Sequence, residues 1–183
     1  LVNGHIDEAV RSLRTGVAHA QPPLLFRNLG NGKFQDIAAA AGADFARPRV
    51  GRGLAYGDFD RDGDLDLLIT TNNGPAVLFR NDQLAGNRSL RFTLVGTKSN
   101  RDAIGAWVEV ELGKGRVVRQ ELTVGGGHAS GHLGWMHFGL DDATAVKLRV
   151  QWPHGDWSAW QSVAADAFYS VDREAGVSAW KAP

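Results

Sequence analysis

Cysteine is absent from the 183 residues, which excludes disulfide scaffolds, cysteine-ligated zinc, iron–sulfur clusters and thiol nucleophiles. An excess of charge of one sign is also missing: 20 Lys and Arg stand against 20 Asp and Glu, a formal net charge of zero. That balance removes the long-range attraction to phosphate on which non-specific nucleic-acid binding depends, so nucleic acid is not an expected partner. No apolar run approaches the roughly 18 residues that span a bilayer; the uninterrupted runs are short ones such as Leu67 to Ile69 and Ala38 to Ala41. No direct membrane span is expected. The opening residues hold neither a basic stretch nor an apolar leader core, so any export signal has been removed or lies outside these residues. What is present is 43% hydrophobic residues, 23 Gly and six Trp, a composition that suits one or two small packed domains.

An imperfect internal repeat organises the first half. Leu25-Phe26-Arg27-Asn28 recurs 53 residues later as Leu78-Phe79-Arg80-Asn81, a period typical of supersecondary units such as propeller blades. Each copy reads as strand, turn, strand, the second strand being Lys33 to Ile37 in one case and Leu90 to Gly96 in the other. Asn31-Gly32 and Asn73-Gly74 mark hairpins, since such pairs tolerate the positive φ of two-residue turns. About one and a half four-stranded blades result, whereas a closed propeller takes about four to eight. The segment is therefore expected to be the C-terminal piece of a longer protein, with partners covering its open edges as the alternative.

From about Ser99 strict alternation takes over. Val146, Leu148, Val150 and Trp152 share one face while Lys147, Arg149 and Gln151 share the other; Ala106, Val108, Val110 and Leu112, and then Val118, Leu122 and Val124, repeat the pattern. Such strands are half-buried and antiparallel, and six or seven of them between Gly-rich turns predict a sandwich. All six Trp lie at or after Trp107, and the boundary is placed near residues 97 to 101. Helix is restricted to single turns within Asp7 to Leu13 and Asp36 to Ala41.

The most informative stretch is Asp58-Phe59-Asp60-Arg61-Asp62-Gly63-Asp64-Leu65-Asp66, with five acids in nine residues. Two carboxylates about 4 Å apart repel by roughly 1 kcal/mol in water and about 4 kcal/mol at an effective dielectric of 20, so gathering several round one point calls for a cation. Hard oxygen donors at alternate positions select calcium before magnesium. The spacing offers side-chain oxygens from Asp58, Asp60, Asp62 and Asp66, the backbone carbonyl of Asp64, and a sharp turn at Gly63. An EF-hand would need Glu where Ile69 stands, and helices where Gly53 to Gly57 and Leu65 to Thr70 read as strands. The loop is thus a strand-to-strand calcium loop, with a solvated acidic turn as the bland alternative.

Gly53-Leu54-Ala55-Tyr56-Gly57-Asp58-Phe59-Asp60, the following carboxylates and Leu67-Leu68-Ile69 resemble an FG-GAP or VCBS repeat, the calcium-binding blade of integrin-like β-propellers. Asn3-Gly4-His5 and Leu24 to Phe34 resemble the stretch preceding a last blade. Downstream, Ala103-Ile104-Gly105-Ala106, Gln120-Glu121, Gly125-Gly126-Gly127, His137-Phe138-Gly139-Leu140 and Val150-Gln151-Trp152-Pro153-His154-Gly155 resemble the ASPIC/UnbV domain that follows such repeats in bacterial proteins and in proteins of the cartilage acidic type. The resemblance implies an all-β chain: partial FG-GAP propeller blades over residues 1–98, then a β-sandwich-like ASPIC/UnbV domain over 99–183. It also implies an extracellular, cell-surface or periplasmic, non-enzymatic module that binds Ca²⁺ and contacts other protein subunits or matrix and surface components. A carbohydrate-binding accessory module and a structural subunit of a larger membrane or filament complex are the alternatives.

Other constellations carry less. His128, His132 and His137 lack both a helix and an H-E-x-x-H pattern, so they read as turn or packing histidines before zinc ligands. Ser130 lies in no nucleophile elbow. Gly125-Gly126-Gly127 precede a strand and not a helix, which makes a tight turn the better reading than a phosphate cradle. Trp152, Trp157 and Trp160 straddle the turn Pro153-His154-Gly155-Asp156; core packing is expected, with ring stacking on sugars or a partner as the alternative. Arg47, Arg49 and Arg52 read as a small solvated basic patch beside the acidic loop.

Overall fold

The computed structural model describes residues 1–13, 16–82, 86–127 and 131–180, and what it shows is all-β. Among the described residues helix is limited to one α-turn at Val10–Leu13 and one 3-10 turn at Ala38–Ala40, inside the two predicted windows. Among the described residues no helix is long and apolar enough to cross a membrane.

The chain divides into two compact units, the first comprising Leu1–Tyr56, Leu65–Asn81 and Gly125–Gly131. Strands β1 (Phe26–Gly30) and β2 (Lys33–Asp36) form an antiparallel hairpin. Its turn is Asn31-Gly32, with φ of 52° and 70°, the two positive values that a two-residue hairpin matching the strand twist demands. Strands β3 (Gly51–Gly57), β4 (Asp66–Thr71) and β5 (Val77–Phe79) make a second sheet in that order. Here the expectation of a two-residue turn fails. Leu67 pairs with Phe79 and Ile69 with Val77, so the connection is longer, and only Asn73 of the Asn73-Gly74 pair has positive φ. Pro75 follows at once; its missing N–H denies the ladder a donor, and its carbonyl accepts from Thr71 Oγ1 instead at 2.9 Å. Val10, Phe45 and Ile69 are buried in this unit, and the Phe45 ring meets Phe79 edge-on at 5.4 Å.

The second unit comprises Gly57–Asp64, Asp82–Val124 and His132–Pro183. It contains β6 (Arg88–Val95), β7 (Trp107–Glu111), β8 (Val117–Glu121), β9 (Met136–Asp141), β10 (Ala145–Gln151), β11 (Gln161–Ala164), β12 (Ala167–Asp172) and β13 (Gly176–Ala179). They form two four-stranded sheets, ordered β11-β10-β7-β8 and β13-β12-β6-β9. Their facing sides share one core, which includes Leu90, Phe92, Val108, Val110, Phe138, Leu148 and Val150; Phe92 and Phe138 stack at 5.7 Å. Fully burying such a side chain contributes about 1.5–3 kcal/mol. The predicted sandwich is present, and Val146, Leu148, Val150 and Trp152 all face its core. Leu122 is buried as expected, but Val124 is 37% exposed, because it lies beyond the end of β8.

One strand departs from the sequence reading. Leu90 to Gly96 was expected to pair within the second copy of the repeat, before the boundary near 97 to 101. The structure instead seats β6 in the sandwich, parallel to β12 and antiparallel to β9. Alternation reveals which residues of a strand share a face but not which sheet receives it. Leu90, Phe92 and Leu94 find a matching apolar layer in the sandwich.

Candidate metal centre

The acidic loop connects β3 to β4, as the flanking strand patterns predict. Its reversal uses Arg61 at φ 65° and Gly63 at φ 106°. Gly63 is required twice over: an L side chain is strained at that φ, and a Cβ there would lie 3.2 Å from Ser89 Oγ. The chain turns by side-chain-to-backbone bonds typical of Asx turns. Asp60 Oδ1 accepts from the Asp62 N–H at 3.4 Å, Asp62 Oδ1 from the Asp64 N–H at 2.9 Å, and Asp58 Oδ2 from the Gly63 N–H at 3.1 Å.

Of the five predicted ligand residues, Asp58, Asp60 and Asp66 each bring one carboxylate oxygen within 4.8 Å of the others. Asp62 and Asp64 lie outside this group, Asp62 with one oxygen engaged in its turn and Asp64 assigned only a backbone role by its spacing. The donor set is chemically uniform, all hard oxygen. A cation at about 2.3–2.6 Å from each oxygen, the calcium range, can bridge oxygens up to that distance apart. Asp66 is buried, and its Oδ1 accepts the Asn81 N–H at 2.8 Å. Asp58 is the most constrained. Its side chain is 5% exposed, Oδ2 is ion-paired with Arg91 Nη1, and Oδ1 is buried with no hydrogen-bond partner.

The residues that hold the loop come from β6 and β9, and the loop's sequence pattern does not reveal them. Arg91 is itself 4% exposed, and its guanidinium lies 4.1 Å from the Phe168 ring centroid. Its cross-strand neighbour His137 has Nε2 at 2.8 Å from the Gly63 carbonyl; a carbonyl only accepts, so this nitrogen carries the proton. His137 is therefore a packing residue, as expected. His128 and Ser130 lie outside the described residues, and His132 contributes its backbone N–H to Val124 O. Gly126 has φ 107°, in keeping with a tight turn.

The expected basic patch is not one surface. Arg47 pairs with Asp44 at 3.0 Å, Arg49 donates to the Asp44 and Arg47 carbonyls and lies over Phe79, and Arg52 donates to the Gly4 and His5 carbonyls. Arg47 and Arg49 are held by neighbouring residues, whereas the acceptors of Arg52 lie 48 and 47 residues away in sequence, a pairing that the spacing of the three arginines does not disclose.

A second carboxylate site, missed by motif reading, lies on the β11-β10-β7-β8 sheet. Glu109 is 5% exposed although it sits on the outward face of β7. Arg119 donates to Oε1 through Nε, at 2.9 Å, and Nη2; Arg149 donates to Oε2 at 2.7 Å. Burial works to raise the Glu109 pKa, but the hydrogen bonds and charges of Arg119 and Arg149 outweigh it and hold the carboxyl below its ordinary value. The available signal was the alternation itself, which places Glu109 opposite Arg119 and Arg149 once register is known. Of the tryptophans, Trp152 is buried as expected, Trp157 is half-buried, and Trp160 and Trp107 are each 37% exposed.

Fold and site together define an acidic loop between two strands of a small sheet and, beside it in sequence, a two-sheet sandwich. Comparison with known families agrees: residues 4–69 match the FG-GAP-like repeat and residues 96–178 match ASPIC and UnbV. The two matches follow one another along the chain in that order. It is similar to cartilage acidic protein 1 of Mus musculus, 44% identical over 71 residues covering 39% of this chain and 10% of that protein. The Xenopus tropicalis protein of the same name is 42% identical over 77 residues, 42% of this chain and 11% of the relative. The matched segment thus spans about a tenth of the length of these relatives.

Proposed function

We propose that this chain is a non-catalytic, calcium-binding extracytoplasmic module that works by binding or assembling with other protein subunits or matrix components. The observation that carries the reading is Asp58 Oδ1, a buried carboxylate oxygen without a hydrogen-bond donor in a group with Asp60 and Asp66. Leaving a buried charged acceptor unmatched costs several kcal/mol in proteins, about 1–3 kcal/mol even for a neutral one, and a bound cation removes that cost. Side-chain oxygens of Asp58, Asp60 and Asp66 would hold the ion, with Asp62 and the Asp64 carbonyl supplied by the same loop. Its role would be structural, neutralising the acidic loop and fixing its turn. Extracellular calcium modules commonly bind at about 10⁻⁴–10⁻³ M and fill outside the cytosol, which suits relatives named for cartilage. The partner itself is a proposal at the level of class: another protein or a matrix component.

Calorimetric titration of calcium into chelator-stripped protein, with thermal unfolding in parallel, tests this. At about a hundred times its dissociation constant, calcium should add roughly 2.7 kcal/mol of stability, and Asp60→Ala should abolish that gain. Identical melting curves in excess chelator and in excess calcium would overturn the reading.

A further inference from the structure

The outer face of the β11-β10-β7-β8 sheet carries a second site, and strand register assembles it. Trp157, Gln151 and Trp107 oppose one another across adjacent strands, so two indoles flank one amide at roughly 10 Å by strand spacing. The next row is Arg149, Glu109 and Arg119. The Arg149 guanidinium lies 4.7 Å from the Trp157 centroid and 4.5 Å from that of Trp160; Arg119 lies 5.3 Å from Trp157 and 5.8 Å from Trp107. Rings that rest on guanidiniums tied to a buried carboxylate are held in place before any ligand arrives, which lowers the ordering cost of binding. Beside them opens a cleft of about 400 Å³ whose walls include Trp107, Gln151, His154 and Asp156.

Three features choose the ligand. An exposed indole offers an apolar platform. The amide, imidazole and carboxylate of Gln151, His154 and Asp156 offer donors and acceptors suited to hydroxyl groups. The two arginines, which would otherwise attract anions, already share Glu109, both of whose oxygens they occupy, and Asp156 adds a negative wall. We propose that this face binds a neutral saccharide, with one pyranose stacked on Trp107 and its hydroxyls hydrogen-bonded within the cleft. The proposal goes beyond the calcium reading and uses none of the acidic-loop residues, so the two stand or fall separately.

The test is calorimetric titration of the calcium-loaded chain with cellotriose, maltotriose and tri-N-acetylchitotriose, with a heparin-derived octasaccharide as the anionic probe. Saturable binding of at least one neutral trisaccharide is expected, weakened by about tenfold or more in Trp107→Ala and in Asp156→Ala. Trp107→Phe, which keeps an aromatic platform, should recover most of the affinity and guards against a misfolded alanine variant. The proposal is overturned if no neutral trisaccharide binds, if binding survives Trp107→Ala unchanged, or if only the octasaccharide binds, which would make the face an anion site.

Discussion

The sandwich has two outer faces, and each buries a carboxylate against arginine and an aromatic ring. On one, Asp58 meets Arg91 over Phe168; on the other, Glu109 meets Arg119 and Arg149 beside Trp157. The difference lies in how completely the anion is satisfied. Glu109 has both oxygens occupied and serves as an internal brace. Asp58 has one oxygen paired and one buried without a donor, in a group of further carboxylates. A single arginine leaves room for a cation; two arginines do not. The same residue types thus leave one carboxylate oxygen without a donor on one face and a fully satisfied carboxylate beside a row of rings on the other.

The comparison is broken most severely at Arg91. Arg91→Met leaves Asp58 buried and unpaired, which typically costs about 3–5 kcal/mol; calcium should restore part of it, so chemical denaturation of the variant should be far more calcium-dependent than that of the wild type. Arg149→Met should cost only about 1 kcal/mol, because Arg149 is 30% exposed and Arg119 remains on Glu109. Equal losses at the two arginines would erase the distinction. Calcium removal comes next, at roughly 2–3 kcal/mol. Glu109→Gln should show the same calcium-induced shift in melting temperature as the wild type, since its face holds none of the residues proposed to bind calcium.

A smaller effect is expected at Gly63. Gly63→Ala forces a Cβ into a left-handed conformation and against Ser89 Oγ, at about 1–2 kcal/mol, and calcium affinity measured by calorimetry should fall with it. The smallest effect is the pH dependence of Glu109. Its folded pKa is depressed, so its contribution is present above the ordinary carboxylate range and fades as pH falls through the folded pKa. Melting temperatures of wild type and Glu109→Gln should therefore differ at neutral pH and converge in acid. A gap that widens on acidification would reverse the sign argued here.

Much of the acidic loop was legible because its chemistry is local. Alternating aspartates, a glycine at the reversal and strand patterns on both sides lie within one short window, and backbone geometry alone carries the rest. The hairpin at Asn31-Gly32 was legible for the same reason. By contrast, Arg91 stands in β6 where alternation marks an outward, solvated position between Leu90 and Phe92. In the structure Ser89, Leu90, Arg91 and Phe92 are all buried, because loop residues 33 positions earlier cover the polar side. Period-two patterning registers one buried face and is silent about a second that becomes covered by polar partners.

The amino-acid sequence by itself determined the all-β character, the sandwich strands and their inward rows, and the place where carboxylates gather, since each depends on spacing within a few residues. Only the tertiary structure decided that β6 joins β9 and β12, that Arg91 and His137 seat the acidic loop, and that Glu109 draws two arginines beside a row of indoles. Those arrangements depend on which distant strands pair and in what register. That choice is made by the summed burial of many side chains, and no local motif encodes it.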